Sequence, residues 1–416
     1  MTLQSSSPIA SKALLVLGIL LIAISLRSPI TGVGPLLDVI SSELHLSATQ
    51  AGMLTTLPLL VFAFFSPVAS KIGTKRGLEQ ALMLALLFIV TGLLVRSAGN
   101  ALGLYLGTTV IAAGIAIANV LLPSLVKRDF PTHIAMVTSI YVLMMGAGSA
   151  ISAGLAIPLS DLASHFSVSL IPSWAFSLGS LLVFPIIAIL LWLPQMSHHS
   201  VPTKDTEQVD SHSYLWREAS AWHITLFLAL NSFLMYIFIS WFPTILVDNG
   251  YSHHQAGVIH GVLQLFTAVP ALVLIPFMSK LKDKRQLSFS LTFMAFVAII
   301  GLIVMPQMAM LWAVLFGFGA GGGFIVALTL ISLRTSTAKQ AAALSGMAQF
   351  SGYLVAATGP MIMGELHEQT ASWQLPLMIC AICSLVWGGF AWLAAKDEVI
   401  LSSRKPVSLT TSESIS

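Results

Sequence analysis

Apolar residues fall in long runs near 13–37, 50–69, 78–95, 102–126, 134–158, 172–194, 221–246, 255–278, 287–305, 309–333, 341–363 and 374–395, with short polar segments between them. The runs are too long, and alternate too little, for barrel strands, so helices are predicted. About 20 apolar residues carry a helix across a bilayer. Within hydrocarbon only helices and closed barrels satisfy their own backbone. The pattern therefore predicts an all-α membrane protein with twelve spans. Composition removes the soluble alternative. Of 416 residues, 56% are hydrophobic and 8% are charged, against about 25% charged in a soluble domain. Soluble enzymes, nucleic-acid binders and secreted disulfide scaffolds are excluded on that ground.

The few charges are informative once placed. With both termini on the cytoplasmic side, seventeen of the nineteen Lys and Arg residues fall in inner loops and tails, and Arg96 alone falls in an outer loop. That asymmetry is a strong positive-inside signal. The run from Ala13 is too long for a signal-peptide core and reads as the first span. The remaining basic residue, Arg27, lies inside that span. No Asp or Glu lies deep in any span.

The longest inner connection, 195–219, is polar and reads as a linker between two six-helix halves, 1–194 and 220–396. Its His198, His199 and His212 are read as solvated rather than metal-binding. The Ser/Thr-rich tail, 397–416, reads as disordered. The second half echoes the first: Pro35 and Pro243, Ser70-Lys71 and Ser279-Lys280, Arg128 and Arg334, and Ala135 and Ala342 pair at offsets of 206 to 209 residues. Six plus six parallel repeats about an axis along the membrane normal is a transporter architecture.

Several motifs point the same way. Lys71–Gly77 is a degraded inner-loop signature that lacks its usual acidic residue. More telling are Leu26-Arg27 with Gly34–Leu37, Asn119–Pro123 with Lys127–Pro131, Gly321–Gly323 with Ala327–Leu330, and Leu344–Gln349 with Gly352-Tyr353 and Gly359-Pro360. Over residues 13–395 the chain resembles the major facilitator superfamily, and within it the cyanate permease family, whose members carry cyanate or 2-nitroimidazole. The resemblance implies a twelve-helix fold in two pseudo-symmetric halves and secondary transport of a small solute. It does not choose between those two cargoes.

The residues that could carry the chemistry are few. Arg27 sits about 20 Å into span 1 at 1.5 Å per residue. A guanidinium there costs at least about 2.5–3.5 kcal/mol on insertion scales, so it is expected to face a water-filled cavity. With no carboxylate at that depth, its counter-charge is expected to come from the ligand. The bland alternative is an arginine bonded to helix carbonyls, locking spans together. Span 11 places Ser345, Gln349 and Tyr353 on one face at i, i+4 and i+8, and span 7 repeats this with Ser232, Tyr236 and Ser240. Asn119 and Tyr141 add an amide and a phenol. Each of these serves equally well as interhelical glue; as a set they predict a lined cavity. His260, on a face with Gln264, is the candidate for proton coupling; a histidine bonded to a neighbour near the outer interface is the equal alternative.

Other patterns are discounted. Gly317–Gly323 satisfies a dinucleotide-fingerprint spacing, but it lies in an apolar span with no preceding strand, so close helix packing explains it. Cys380 and Cys383 read as small apolar residues within a span. No Walker lysine motif is present, which argues against direct drive by ATP. The sequence thus predicts a secondary transporter, monomeric, in a bacterial cytoplasmic membrane. It moves a small polar or anionic planar solute by alternating access, with no cofactor, and with the solute, protons and the bilayer as partners. The substrate site is predicted from Arg27, Asn119, Tyr141, Tyr236, Gln264, Gln349 and Tyr353. Broader export of toxic compounds is the runner-up; a membrane sensor or enzyme would need a catalytic cluster or soluble domain that the chain lacks.

Overall fold

The computed structural model describes residues 8–46, 48–165, 171–197, 214–274, 281, 283–396 and 400. The histidines of the linker and all of the tail beyond residue 400 lie outside these. The described chain is helical almost throughout. The helices are α1 (Pro8–Thr31), α2 (Leu37–Glu43), α3 (Ala48–Arg76), α4 (Leu78–Arg96), α5 (Ala101–Asp129), α6 (Ile134–His165), α7 (Ser173–Ser180) and α8 (Val183–Trp192) in the first half. In the second half they are α9 (Ala219–Asp248), α10 (His253–Ala268), α11 (Arg285–Val304), α12 (Ala309–Leu333), α13 (Ala338–Thr370) and α14 (Gln374–Ala394).

Eleven segments among the described residues are long and apolar enough to cross a membrane. The twelfth predicted span is α13. It is the longest helix, 33 residues, or about 50 Å. It fails on hydropathy, not on length. Its inner stretch, Ala341 to Gln349, is buried throughout and includes Ser345 and Gln349. A helix that spends its polar residues on a protein-facing stripe loses mean hydropathy without exposing a polar group to lipid.

Two expectations are corrected. The sixth span is not one helix: α7 and α8 are separate because Pro185, third in α8, has no N–H to give the Leu181 carbonyl. Arg96 is not in an outer loop. It is the last residue of α4 and is fully buried. Its Nη1 donates to the Pro29 carbonyl at 2.6 Å. That carbonyl is available because α1 is ending: the Val33 N–H, its ordinary partner, turns to Ile30 at 3.4 Å. A cation on the orphan carbonyls of a helix C-terminus is favourable both as a cap and toward the helix dipole. Residue charge alone gave no sign of this, because the acceptor is created by a helix end 67 positions away.

The halves meet mainly near the face that carries the chain ends. α13 packs against α3 and α5, and α6 against α10 and α12. A Cβ on Gly346 would sit 3.2 Å from the Ser66 carbonyl and from the Ser70 side chain. Ser332 Oγ donates to the Pro123 carbonyl across the halves at 2.9 Å. α1 makes its main packing contacts within its own half, chiefly with α6 and α8, and α9 does likewise with α13 and α14. Ser332→Ala is expected to weaken the clasp by about 0.5–1.5 kcal/mol, a shift of about 2- to 12-fold toward opening at this face. Spin-label distances between the nearby ends of α5 and α12 would report it as a growing long-distance population.

Candidate functional site

Between the halves lies a cleft that encloses about 390 Å³. Its polar lining is Asn119 and Tyr141 from the first half, and Ser232, Gln349 and Tyr353 from the second. Each arrives there for a local reason. Asn119 stands four residues before Pro123 in α5, and a proline cannot donate to the Asn119 carbonyl, so this turn keeps an open acceptor. Gln349 and Tyr353 follow Ser345 at helical spacing on α13. Gly352 brings α13 close to α9, where a Cβ would meet Ala229 at 3.4 Å. The walls are flat: Phe324 lines the cleft, and Phe62 of α3 tilts against Tyr353 with ring centroids 5.1 Å apart. The space is a slot.

Arg27 and Tyr236 are next to this slot rather than in its wall. Both are partly buried. The Arg27 guanidinium lies within Coulombic reach of the Tyr236 and Tyr353 hydroxyls, which also reach each other. Among the described residues no carboxylate and no hydrogen-bond acceptor engages that guanidinium. The turn that carries it is held firmly. Thr31 Oγ1 bonds the Arg27 carbonyl at 3.0 Å and lies 2.9 Å from Ser152 Oγ on α6. A fixed backbone under an unpaired cation is what a binding group requires.

Gln264 and His260 form a separate pair on α10. Gln264 Nε2 is 3.3 Å from His260 Nε2, and His260 Nδ1 is buried without a partner among the described residues. The amide donates to a bare ring nitrogen, so protonating His260 would oblige Gln264 to turn its oxygen inward. The structure therefore places six of the eight predicted residues, all but Gln264 and His260, in or beside one cleft. Asn231, beside the predicted row on span 7, is glue: its Nδ2 donates to the Ala320 carbonyl at 2.8 Å. The aromatic walls Phe62 and Phe324 had no signal in the sequence, since apolar rings in a membrane helix are ordinary. Cys380 and Cys383 are free thiols, the first buried near Met363.

A twelve-helix bundle with a polar cleft between two halves, and with a cation beside that cleft, is the build of a membrane solute carrier. The sequence profile of the Major Facilitator Superfamily matches residues 15–307 and 247–411, and the chain belongs to that superfamily. It is 44% identical to the 2-nitroimidazole transporter of Escherichia coli (strain K12) over 400 residues, covering 96% of this chain and 100% of that one. It is 24% identical to the cyanate transport protein of the same organism over 371 residues, covering 89% and 94%. Among solved structures, the transporter FucP in its outward conformation superposes with a TM-score of 0.73 at 13% identity, covering 92% and 99% of the two chains. The protein is a multi-pass secondary transporter of a small solute.

Proposed function

We propose that the cargo is a small planar heterocycle of the nitroimidazole type, moved by alternating access across a bacterial cytoplasmic membrane with both chain ends inside. The observation that carries this reading is the unpaired Arg27 guanidinium beside a narrow, aromatic-walled slot. A nitro group is flat and net uncharged, with partial negative charge on its two oxygens. It offers a guanidinium two oxygens, and its ring can stack between Tyr141, Tyr353 and Phe324. The likeness to a 2-nitroimidazole transporter over nearly the whole chain supports the same choice. The charge distribution, seventeen of nineteen basic residues on one side, supports the orientation.

Counterflow in proteoliposomes tests the reading. Vesicles loaded with unlabelled 2-nitroimidazole are expected to take up the labelled compound transiently. Cyanate is expected to compete weakly, and a bulky cationic dye not at all. Competition by the dye would favour broad toxic-compound export, and uptake of cyanate alone would make the slot an anion site. Coupling is read as resting on His260. His260→Gln is expected to abolish accumulation driven by a pH gradient while leaving counterflow within about 3-fold of wild type, because exchange needs no net proton movement. Gradient-driven accumulation that survives the substitution would remove His260 from the coupling path.

A further inference from the structure

Among the described residues that line the slot, Gln349 carries a fully buried polar atom left unbonded. It is 4% exposed. Its Nε2 donates to Ser345 Oγ, one turn earlier on α13, at 2.9 Å. That bond holds the amide plane, since Ser345 is itself fully buried. The other amide atom, Oε1, is buried with no hydrogen-bond partner among the described residues. Buried amide oxygens are almost always bonded, so an oxygen left open at the wall of a ligand-sized cleft is an acceptor awaiting a donor. The other slot side chains differ: Tyr141, Tyr353 and Ser232 carry hydroxyls, which serve as donor or acceptor alike, Arg27 beside the slot only donates, and the Asn119 amide is half-buried, where its oxygen is not sealed from water as that of Gln349 is.

We infer that Gln349 is a specificity-determining residue, and that its Oε1 selects solutes carrying a ring N–H. This deepens the proposed function and rests on it. Arg27 takes the electron-rich end of a flat ring, and Gln349 takes the N–H at another edge. A solute without that N–H leaves the oxygen buried and unpaired. A site that bonds a polar group discriminates by what it leaves unsatisfied, more than by size.

The test compares three probes by calorimetry on the full-length protein in detergent, at mildly acidic pH, where the nitroimidazole ring keeps its proton. They are 2-nitroimidazole, its N-methyl derivative, and the 4-methyl isomer, which has the same bulk and keeps the N–H. Wild type is expected to bind the parent and the 4-methyl isomer alike, and the N-methyl derivative about 10- to 100-fold more weakly. Gln349→Met is expected to bring all three within about 3-fold of one another, mainly by weakening the first two. Ser345→Ala, which leaves the acceptor in place, is expected to keep the preference in a reduced form. Equal binding of the three probes to wild type overturns the inference. So does equal rejection of both methylated probes, which would make the selection one of size, and so does a preference that survives in Gln349→Met. If none of the probes binds wild type, the functional reading itself falls and takes this inference with it.

Discussion

Arg27→Ala is expected to bring 2-nitroimidazole counterflow to background while the purified protein melts at or above the wild-type temperature. The two halves of that result have one cause. A buried guanidinium bonded to a ligand contributes about 1.5–3 kcal/mol, or about 10- to 150-fold in affinity. At substrate concentrations near the wild-type KM, such a loss leaves little flux. The same guanidinium has no bonding partner among the described residues, so the empty protein gains nothing from it. It bears instead the cost of holding a cation at depth, at least about 2.5–3.5 kcal/mol on insertion scales. Removing it relieves that cost. An arginine that locks helices together would behave in the opposite way, with melting temperature and activity falling in step. Arg96 is the internal contrast. Its guanidinium caps the end of α1 through the Pro29 carbonyl, and its replacement by alanine is expected to cost stability first.

The second large effect lies in the glycine run of α12. Gly321 faces α10, and a Cβ there would overlap the carbonyl and backbone of Thr267. No side-chain rotation can relieve a clash with backbone, so α10 and α12 must separate. Gly321→Ala is expected to cost about 1–3 kcal/mol, as overpacking of a well-fitted core does, and Gly321→Val more. Gly261 on α10 supplies the control. Nothing lies within 4 Å of a Cβ built on it, so Gly261→Ala is expected to be neutral. Differential scanning fluorimetry in one detergent separates the two outcomes. The packing at Thr267 matters to function as well as to stability, because His260 and Gln264 stand on the same helix within two turns of it.

Much of this was legible along the chain because membrane physics leaves few options. Arg27 stood out since a cation in an apolar run must meet water or a partner. The row Ser345, Gln349, Tyr353 stood out since three polar groups at helical spacing cannot all face lipid. The glycines of α12 were legible as a close approach once no strand preceded them. What escaped depended on contacts between distant segments. The pairing of Gln264 with His260 is local, yet the row of polar positions on α10 does not reveal whether an amide points to its neighbour or to a cavity. The role of Arg96 needed the end of α1, and the glue role of Asn231 needed the Ala320 carbonyl of α12. The aromatic walls needed Phe62 of α3 to be folded against Tyr353 of α13, across the halves. The apolar run over 341–363 still marked α13, the helix that contributes most to the cleft, although its polar stripe lowers its mean hydropathy below that of the other spans.

If the position of residue 27 opens to water through the cleft, a thiol placed there reacts with a water-borne reagent. Cysteine accessibility tests it most directly. Cys380 and Cys383 are replaced by alanine, Arg27→Cys is introduced, and the protein is reconstituted in lipid vesicles. A membrane-impermeant methanethiosulfonate is then applied from either side. Rapid labelling is expected from the side opposite the chain ends, at a rate within about tenfold of an exposed loop cysteine. A thiol at position 27 that stays unlabelled from both sides, while the loop control reacts, would show that this position is sealed in protein or lipid, and would contradict that expectation.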